Sequence, residues 1–326
     1  MFFFIFLISL NIIIFFNYKY ISNKIQVYDI PDNKRKIHDE KVTKIGGIIF
    51  FVNTILITIY LEKFKLDENL ILFFFILFST FFISLLDDLK DIKPIYRLIS
   101  FYFLFLIWVI IDPNMQINSL KFMTFNIDIN IEKYSYFITP LFILIFLNAL
   151  NLYDGVNGQS ASYLFLFLVF FYLNNLNISS YLFFVPFLSI FFFYNISNKI
   201  FLGDTGITLF AVYISYILIK DYNLNQNLYC DEIFLIMMLP GIDMLRVYLE
   251  RLIKKKDPFL SDKSHLHHIL LRKIPKQYVF LYQFVFISII LTSFYLYSIS
   301  FLFIFFTVLF LYFLTLIFFN AKNTKI

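Results

Sequence analysis

The run from Leu70 to Leu86 is almost wholly apolar, and it ends in Asp87, Asp88 and, past Leu89 and Lys90, Asp91. An ionised side chain at membrane depth costs roughly 2.5 kcal/mol or more, so carboxylates massed at the edge of such a run point to a bound cation, a proton or a substrate. As one helical turn, Asp87 and Asp88 each share a face with Asp91. The cluster could hold Mg2+ through waters, or one member could accept a proton while Lys90, Lys93 and Arg97 neutralise the others.

Three further polar islands interrupt apolar sequence. In Asn148 to Gly158, Asn148 and Asn151 share a face on the last turn of a helix, Asp154 and Asn157 continue it, and Gly155 and Gly158 loosen the backbone. Buried carboxamides need partners, and a polyhydroxy or phosphate ligand supplies them. Phe201 to Gly206 opens another helix, where Asp204 or Thr205 caps the first turn or Asp204 serves as a rigid cation ligand. Pro258 to His268 brings His265, His267 and His268 together. This spacing suits Zn2+, but no cysteine and no HExxH pattern accompanies it; contacts to phosphates fit the basic surroundings better. A basic loop carrying Arg35, Lys36 and His38 precedes Gly46 and Gly47, and such bases bind phosphorylated substrates or anionic head groups. We read these segments as one site.

The composition says what must position them. Of 326 residues, 60% are hydrophobic and 15% charged, and the mean hydropathy is +0.79. No water-soluble domain of this length has that balance, so an all-α integral membrane protein is expected, organised as one polytopic domain over residues 1–326. A hydrocarbon core of about 30 Å needs roughly 20 helical residues. On that scale about eleven transmembrane helices fall near 2–18, 46–61, 70–86, 95–111, 137–152, 162–173, 181–194, 206–219, 233–249, 278–296 and 299–319. The first apolar run lacks a preceding base and a small-residue cleavage site, so it is read as a span and not as a signal peptide. The single cysteine, Cys230, excludes an intrachain disulfide.

Orientation follows from lysine and arginine. One side collects Lys34, Arg35, Lys36, Lys90, Lys93, Arg97, Lys199, Arg246, Lys254 to Lys256 and Arg272, whereas the other keeps Lys63, Lys65, Lys121, Lys133 and Lys220. That bias places every polar island on the cytoplasmic face. It also argues against an ion-coupled secondary transporter, whose coupling charges sit near the midplane with access from both sides. Nothing in the charge pattern calls for nucleic acid.

With these residues in order, the chain resembles the polyprenyl-phosphate N-acetylhexosamine-1-phosphate transferases of glycosyltransferase family 4. The likeness rests on the Arg35 to His38 and Gly46–Gly47 loop, the Asp87, Asp88 and Asp91 triplet, the asparagine line, Phe201 to Gly206, and Asp257 to His268. It implies transfer of a sugar 1-phosphate from a UDP-sugar to polyprenyl phosphate with release of UMP, assisted by Mg2+ or Mn2+. This would be the first committed step of a lipid-linked cell-envelope glycan at a bacterial inner membrane, and homodimerisation is left open. By the same resemblance Asp204 is the leading metal ligand with Asp154 as a second. Asp87 and Asp88 position or deprotonate the lipid phosphate, with Asp91 completing the catalytic triplet. Lys36, His38, Asn148, Asn151, Asp154, Asn157, His265, His267 and His268 hold the substrates. The chain departs from the family at Asn157, where an aspartate is usual, at Gln159, usually Leu, and at Lys41 and Thr43, where prolines are common.

Overall fold

In lipid each backbone N–H and C=O must be satisfied within its own segment, and uninterrupted runs of Phe, Ile and Leu therefore fold as helices. In the computed structural model the residues described are 2–31, 40–63, 67–90, 92–176, 181–224, 228–258 and 263–320. Lys36, His38 and Asp91, three of the expected site residues, lie outside them.

The chain begins with α1 (Phe2–Phe16) and α2 (Tyr18–Ile25), which meet at a 64° bend. Two short strands, β1 (Tyr28–Asp29) and β2 (Val42–Thr43), pair antiparallel before α3 (Gly46–Leu61). Helices α4 (Glu68–Lys90) and α5 (Pro94–Ile111) follow. A hairpin of β3 (Ser119–Phe122) and β4 (Ile127–Asn130) then leads into α6 (Ser135–Tyr153). After α7 (Gln159–Leu173) and α8 (Val185–Ile196) come α9 (Gly203–Leu224) and α10 (Cys230–Ile253). The short α11 (Leu266–Leu270) and the long α12 (Lys276–Tyr295) and α13 (Phe301–Asn320) complete the chain.

Among the described residues, 6 helices are long and apolar enough to cross a membrane, or up to 7 if α1 and α2 form one bent span. Gly46–Leu61, Gln159–Leu173 and Leu182–Ile196 are apolar but shorter. The chain is thus an all-α multi-pass membrane protein. Helices occupy the eleven expected places, but among the described residues those 6, or 7 with the bent pair, are the ones long and apolar enough to span; the hairpin is an addition that the sequence reading did not contain. It is amphipathic: the register pairs Leu120 with Ile129 and Phe122 with Ile127 on one face, and Lys121 with Asp128 on the other. Its backbone is pinned from behind by the Tyr222 hydroxyl, 2.7 Å from the Lys121 nitrogen, and by Asp231, 2.6 Å from the Met123 nitrogen.

Helix α9 is the central post, since 78% of its most apolar window is buried inside the protein against 28% for α12 and α13. Its start is clamped to the start of α3 through glycines. A β-carbon on Gly47 would stand 2.5 Å from the backbone nitrogen of Gly206, and one on Gly46 would stand 2.5 Å from the Phe201 carbonyl oxygen. Only glycine permits that approach of backbone to backbone. The contact is completed by the Phe201 N–H donating to the Thr43 carbonyl at 2.8 Å. Two segments far apart in sequence thereby become one floor, on which the charged residues stand. Inside the bundle, Asn11 of α1 and Asn53 of α3 exchange carboxamide hydrogen bonds at 2.8 and 3.0 Å. The pair satisfies two amides that apolar surroundings would otherwise penalise.

Candidate active site

Four backbone N–H groups at a helix start have no intrahelical partner, and the helix dipole favours an anion there. At the start of α9 the anion comes from another helix. Asp88, in the last turn of α4, accepts the Thr205 N–H at 2.9 Å, the Thr205 hydroxyl at 2.6 Å and the Asp204 N–H at 3.3 Å. Lys44 completes its shell, with Nζ 3.0 Å from Oδ1. The sequence suggested that Asp204 or Thr205 would cap this helix; the cap is Asp88, which frees the Asp204 carboxylate for other work. Gly203 makes the approach feasible, having φ +73 and a notional β-carbon only 3.0 Å from Asp88 Oδ2.

Asp87 pairs with the Arg97 guanidinium and accepts the Ile92 N–H at 2.8 Å. Arg97 reaches on to Asp204, with Nη1 3.2 Å from Oδ1. Asp204 is therefore joined to Asp88 through its backbone and to Asp87 through Arg97. Exposure separates the three: the Asp88 side chain is 0% exposed, Asp87 7% and Asp204 34%. Asp204 is the one open to a ligand, and its Oδ2 accepts no hydrogen bond from a described residue.

The asparagine line ends α6 beside this cluster. Asn148 and Asn151 are half-buried on the last turns, and neither is hydrogen-bonded to a described side chain. Asp154 follows directly. Burial pushes its carboxyl up to about 7, with Ser160 hydrogen bonds opposing and the negative charge of Asp204 adding to the rise. The influence of Asp204 brings the third island to the first two. Asn157 faces elsewhere: its Nδ2 donates to the Asn195 carbonyl at 2.8 Å and to Asn198 Oδ1 at 2.7 Å. Both amide hydrogens are spent inside the protein, which leaves only Oδ1 for a substrate. Gln159 has a task that the sequence did not reveal, since its Oε1 accepts the N–H groups of Gly155 and Val156, each at 3.1 Å. It holds the turn after Asp154 in shape.

The histidines close the ring. A β-carbon on Gly155 would fall within the imidazole of His267, so the fourth island packs directly on the third. Burial, with His268 and His265 adding to it, lowers His267 to about 3 and keeps it neutral near physiological pH. The rings of His265 and His267 lie parallel, 5.9 Å apart at 3°, and the half-buried His268 ring sits 4.3 Å from that of His267. His265 Nδ1 is 2.9 Å from Asp243 Oδ2. Asp243 was missed from sequence, although an acid within an apolar helix is itself a signal of function.

Carboxylates, two cations, carboxamides and imidazoles thus meet at one end of the bundle, a setting suited to phosphate-bearing ligands. Among the described residues no three His, Cys, Asp or Glu side chains converge on a metal by themselves. Magnesium seldom requires that, being held typically by one or two carboxylates together with waters and substrate phosphates. The open Asp204 oxygen, with Asp154 nearby, fits such a partial ligand set.

Residues 70–221 match the sequence model of glycosyl transferase family 4. That segment contains Asp87, Asp88, the asparagine line and Asp204. The chain is 28% identical over 264 residues to the undecaprenyl-phosphate alpha-N-acetylglucosaminyl 1-phosphate transferase of Thermotoga maritima, covering 78% of this chain and 76% of that protein. It is 26% identical over 265 residues to the probable undecaprenyl-phosphate N-acetylglucosaminyl 1-phosphate transferase of Bacillus subtilis, covering 78% and 72%. Against the Escherichia coli K12 protein named as the former transferase, identity is 24% over 268 residues, covering 77% and 71%. These names describe group transfer, and the transporter alternative gains no support from them.

Proposed function

We propose, from the premise that this chain belongs to glycosyl transferase family 4, that it moves an N-acetylhexosamine 1-phosphate from a UDP-sugar to undecaprenyl or a related polyprenyl phosphate and releases UMP. An oxygen of the lipid phosphate attacks the sugar-bearing phosphorus. The new P–O bond forms as the bond to the bridging diphosphate oxygen breaks, and that oxygen leaves with UMP. Two anions must approach, so the protein's task is positioning and charge screening more than bond chemistry. The observation that carries this reading is Asp204, part exposed and tied to both Asp88 and, through Arg97, Asp87.

Asp204, with Asp154 as second carboxylate, would hold Mg2+ or Mn2+, which when bound supplies the positive charge that lets the two phosphates approach. Arg97 and Lys44 orient the carboxylates of the cluster and offset their charge. A phosphate monoester has a second pKa near 6, so the lipid phosphate is already largely dianionic at pH 7 and needs no base. Asp88, with its oxygens engaged and its side chain closed to solvent, is then a positioning group for Asp204 and not a proton acceptor. Asp87, held by Arg97, acts in the same way. Asn148 and Asn151, free of described partners, face the nucleotide or sugar, and His267 and His268 line the donor's phosphates, where Lys36 and His38 also belong. Asp91 would serve as the third acid beside Asp87 and Asp88 that the resemblance implies. The lysine and arginine bias supports a site on the cytoplasmic side, and the bacterial relatives support an inner-membrane setting, in which about eleven helices would be embedded in the bilayer. The product would start a lipid-linked envelope glycan.

Purified protein in proteoliposomes would be given radiolabelled UDP-N-acetylglucosamine, polyprenyl phosphate and Mg2+, with other UDP-N-acetylhexosamines in parallel. A lipid-linked labelled product with stoichiometric UMP is expected. No product and no UMP from any donor would overturn the proposal.

A further inference from the structure

We propose that Asp243 is a positioning residue that holds His265 with its Nε2 presented to a diphosphate oxygen of the nucleotide-sugar. The role in turnover rests on the transfer reading above; the geometry does not. Asp243 lies in α10, and its side chain is 8% exposed. Its two oxygens are used unequally. Oδ1 accepts the Leu266 N–H at 3.0 Å, the Arg246 Nη2 at 2.9 Å and the Tyr312 hydroxyl at 2.7 Å, whereas Oδ2 is 2.9 Å from His265 Nδ1.

The crowd on Oδ1 draws three elements together. Tyr312 belongs to α13, Leu266 opens α11, and Arg246 reaches the Ser264 carbonyl at 2.6 Å, at the approach to the histidines. Asp243 is in this way immobilised before His265 is considered. A carboxylate only accepts hydrogen bonds, so His265 must carry its hydrogen on Nδ1. The other nitrogen, Nε2, is buried and has no hydrogen-bond partner among the described residues. A buried polar atom left unmatched is costly, and where it persists in a site the expected partner is a ligand.

Position says which ligand. Asp243 and Glu250 both bond to Arg246, at 2.9 and 2.6 Å, and Lys254 meets the second Glu250 oxygen at 3.5 Å. With Asp243 accepting at Nδ1, Nε2 is the nitrogen left to meet a substrate. When a phosphate oxygen of the nucleotide-sugar arrives there, each ring nitrogen donates to an anionic acceptor. The parallel stack of His265 on His267, and of His267 on Gly155, sets this donor in the row that begins at Asp154. The family-matched segment ends at residue 221, before either partner, so the Asp243–His265 pair rests on the geometry alone.

The test combines kinetics with a spectroscopic signature. Protein labelled with 15N-histidine in proteoliposomes is expected to show His265, assigned by loss of its signal in His265→Asn, with hydrogen on Nδ1, and addition of UDP with Mg2+ is expected to shift the Nε2 resonance. In Asp243→Asn the fixed Nδ1–H signature is lost, and kcat with UDP-N-acetylglucosamine falls 100-fold or more while KM moves less than about fivefold. The decisive comparison is the double variant: Asp243→Asn with His265→Asn should be no slower than His265→Asn alone, because one residue acts through the other. Losses that multiply would overturn the proposal, as would a wild-type spectrum with hydrogen on Nε2 alone or an Nε2 resonance indifferent to UDP. Should Asp243→Asn fail to insert, the wild-type spectrum and its response to UDP decide. If the wild type releases no UMP, the transfer reading falls while the spectra still judge the geometry.

Discussion

Asp88, at the end of α4, accepts both the N–H and the hydroxyl of Thr205, at the start of α9, at 2.9 and 2.6 Å. A charge expected to act on substrate is thus enclosed between a helix N-terminus and Lys44. The consequence is that Asp88 and Asp204 should respond differently to the same substitution. Asp88→Asn keeps one acceptor oxygen for the cap but sets an amide beside N–H donors and loses the charge that Lys44 meets. It should lower kcat at least 100-fold and reduce thermal stability by about 1–3 kcal/mol. Asp204→Asn, at a part-exposed site, should abolish turnover with stability changed by less than about 1 kcal/mol. Detergent melting curves beside UMP release check both; equal stability losses in the two variants would remove the distinction.

The glycines offer a graded set. Ala at Gly47 would drive a β-carbon to 2.5 Å from the Gly206 backbone nitrogen, where nothing flexible can yield. Gly47→Ala should therefore separate α3 from α9 and abolish both activity and the folded monodisperse state. Ala at Gly155 meets the His267 imidazole, a side chain that can turn away. Gly155→Ala should keep the fold and lose activity, as the histidine row is displaced. At Gly241 no atom lies within 4 Å of a notional β-carbon, and Gly241→Ala should be neutral or stabilise by up to about 1 kcal/mol. Size-exclusion profiles with UMP release rank the three, and a folded, active Gly47→Ala protein would contradict the docking argument.

Much of this was legible in the sequence. The islands at 87–91, 148–158, 201–206 and 258–268 announced themselves because charge and carboxamide are expensive beside apolar helices, and the lysine bias suggested a single side for them. What stayed hidden depended on partners that spacing does not reveal. Asp88 as the cap of α9 joins residues 117 positions apart from Thr205, and local capping by Asp204 or Thr205 was the natural guess. Asp243 sat in a helix read by its hydrophobicity, and only the fold shows it beneath His265. The β3–β4 hairpin has strands of 4 residues, too few for the alternation of Leu120 and Phe122 with Lys121 to stand out.

The resemblance leads one to expect an aspartate at position 157, and the structure gives the asparagine found there a different duty. Its amide donates to the Asn195 carbonyl and to Asn198 Oδ1. An aspartate here would place a carboxylate against two acceptors. Asn157→Asp should destabilise the protein by about 1–3 kcal/mol and leave the Mg2+ dependence of transfer unimproved. A rise in activity at low Mg2+, without loss of melting temperature, would instead make position 157 a vacant metal ligand.

His267 is held neutral, lowered to about 3 chiefly by burial. An imidazole exposed on unfolding titrates near 6.5, so below that pH the unfolded chain binds a proton that the folded protein refuses. Stability attributable to this group is fully present above about 6.5 and is lost progressively as pH falls toward 3, amounting to about 2 kcal/mol between pH 7.5 and pH 5. The expected outcome is a melting temperature that drops on acidification in the wild type and drops less steeply in His267→Gln, which has no proton to gain. The same neutrality means that His267 adds no limb to the rate profile between pH 5 and 8. Identical melting slopes in the two proteins would show that His267 is already solvated or protonated in the folded state, and with it the packing of His267 on Gly155 would have to be abandoned.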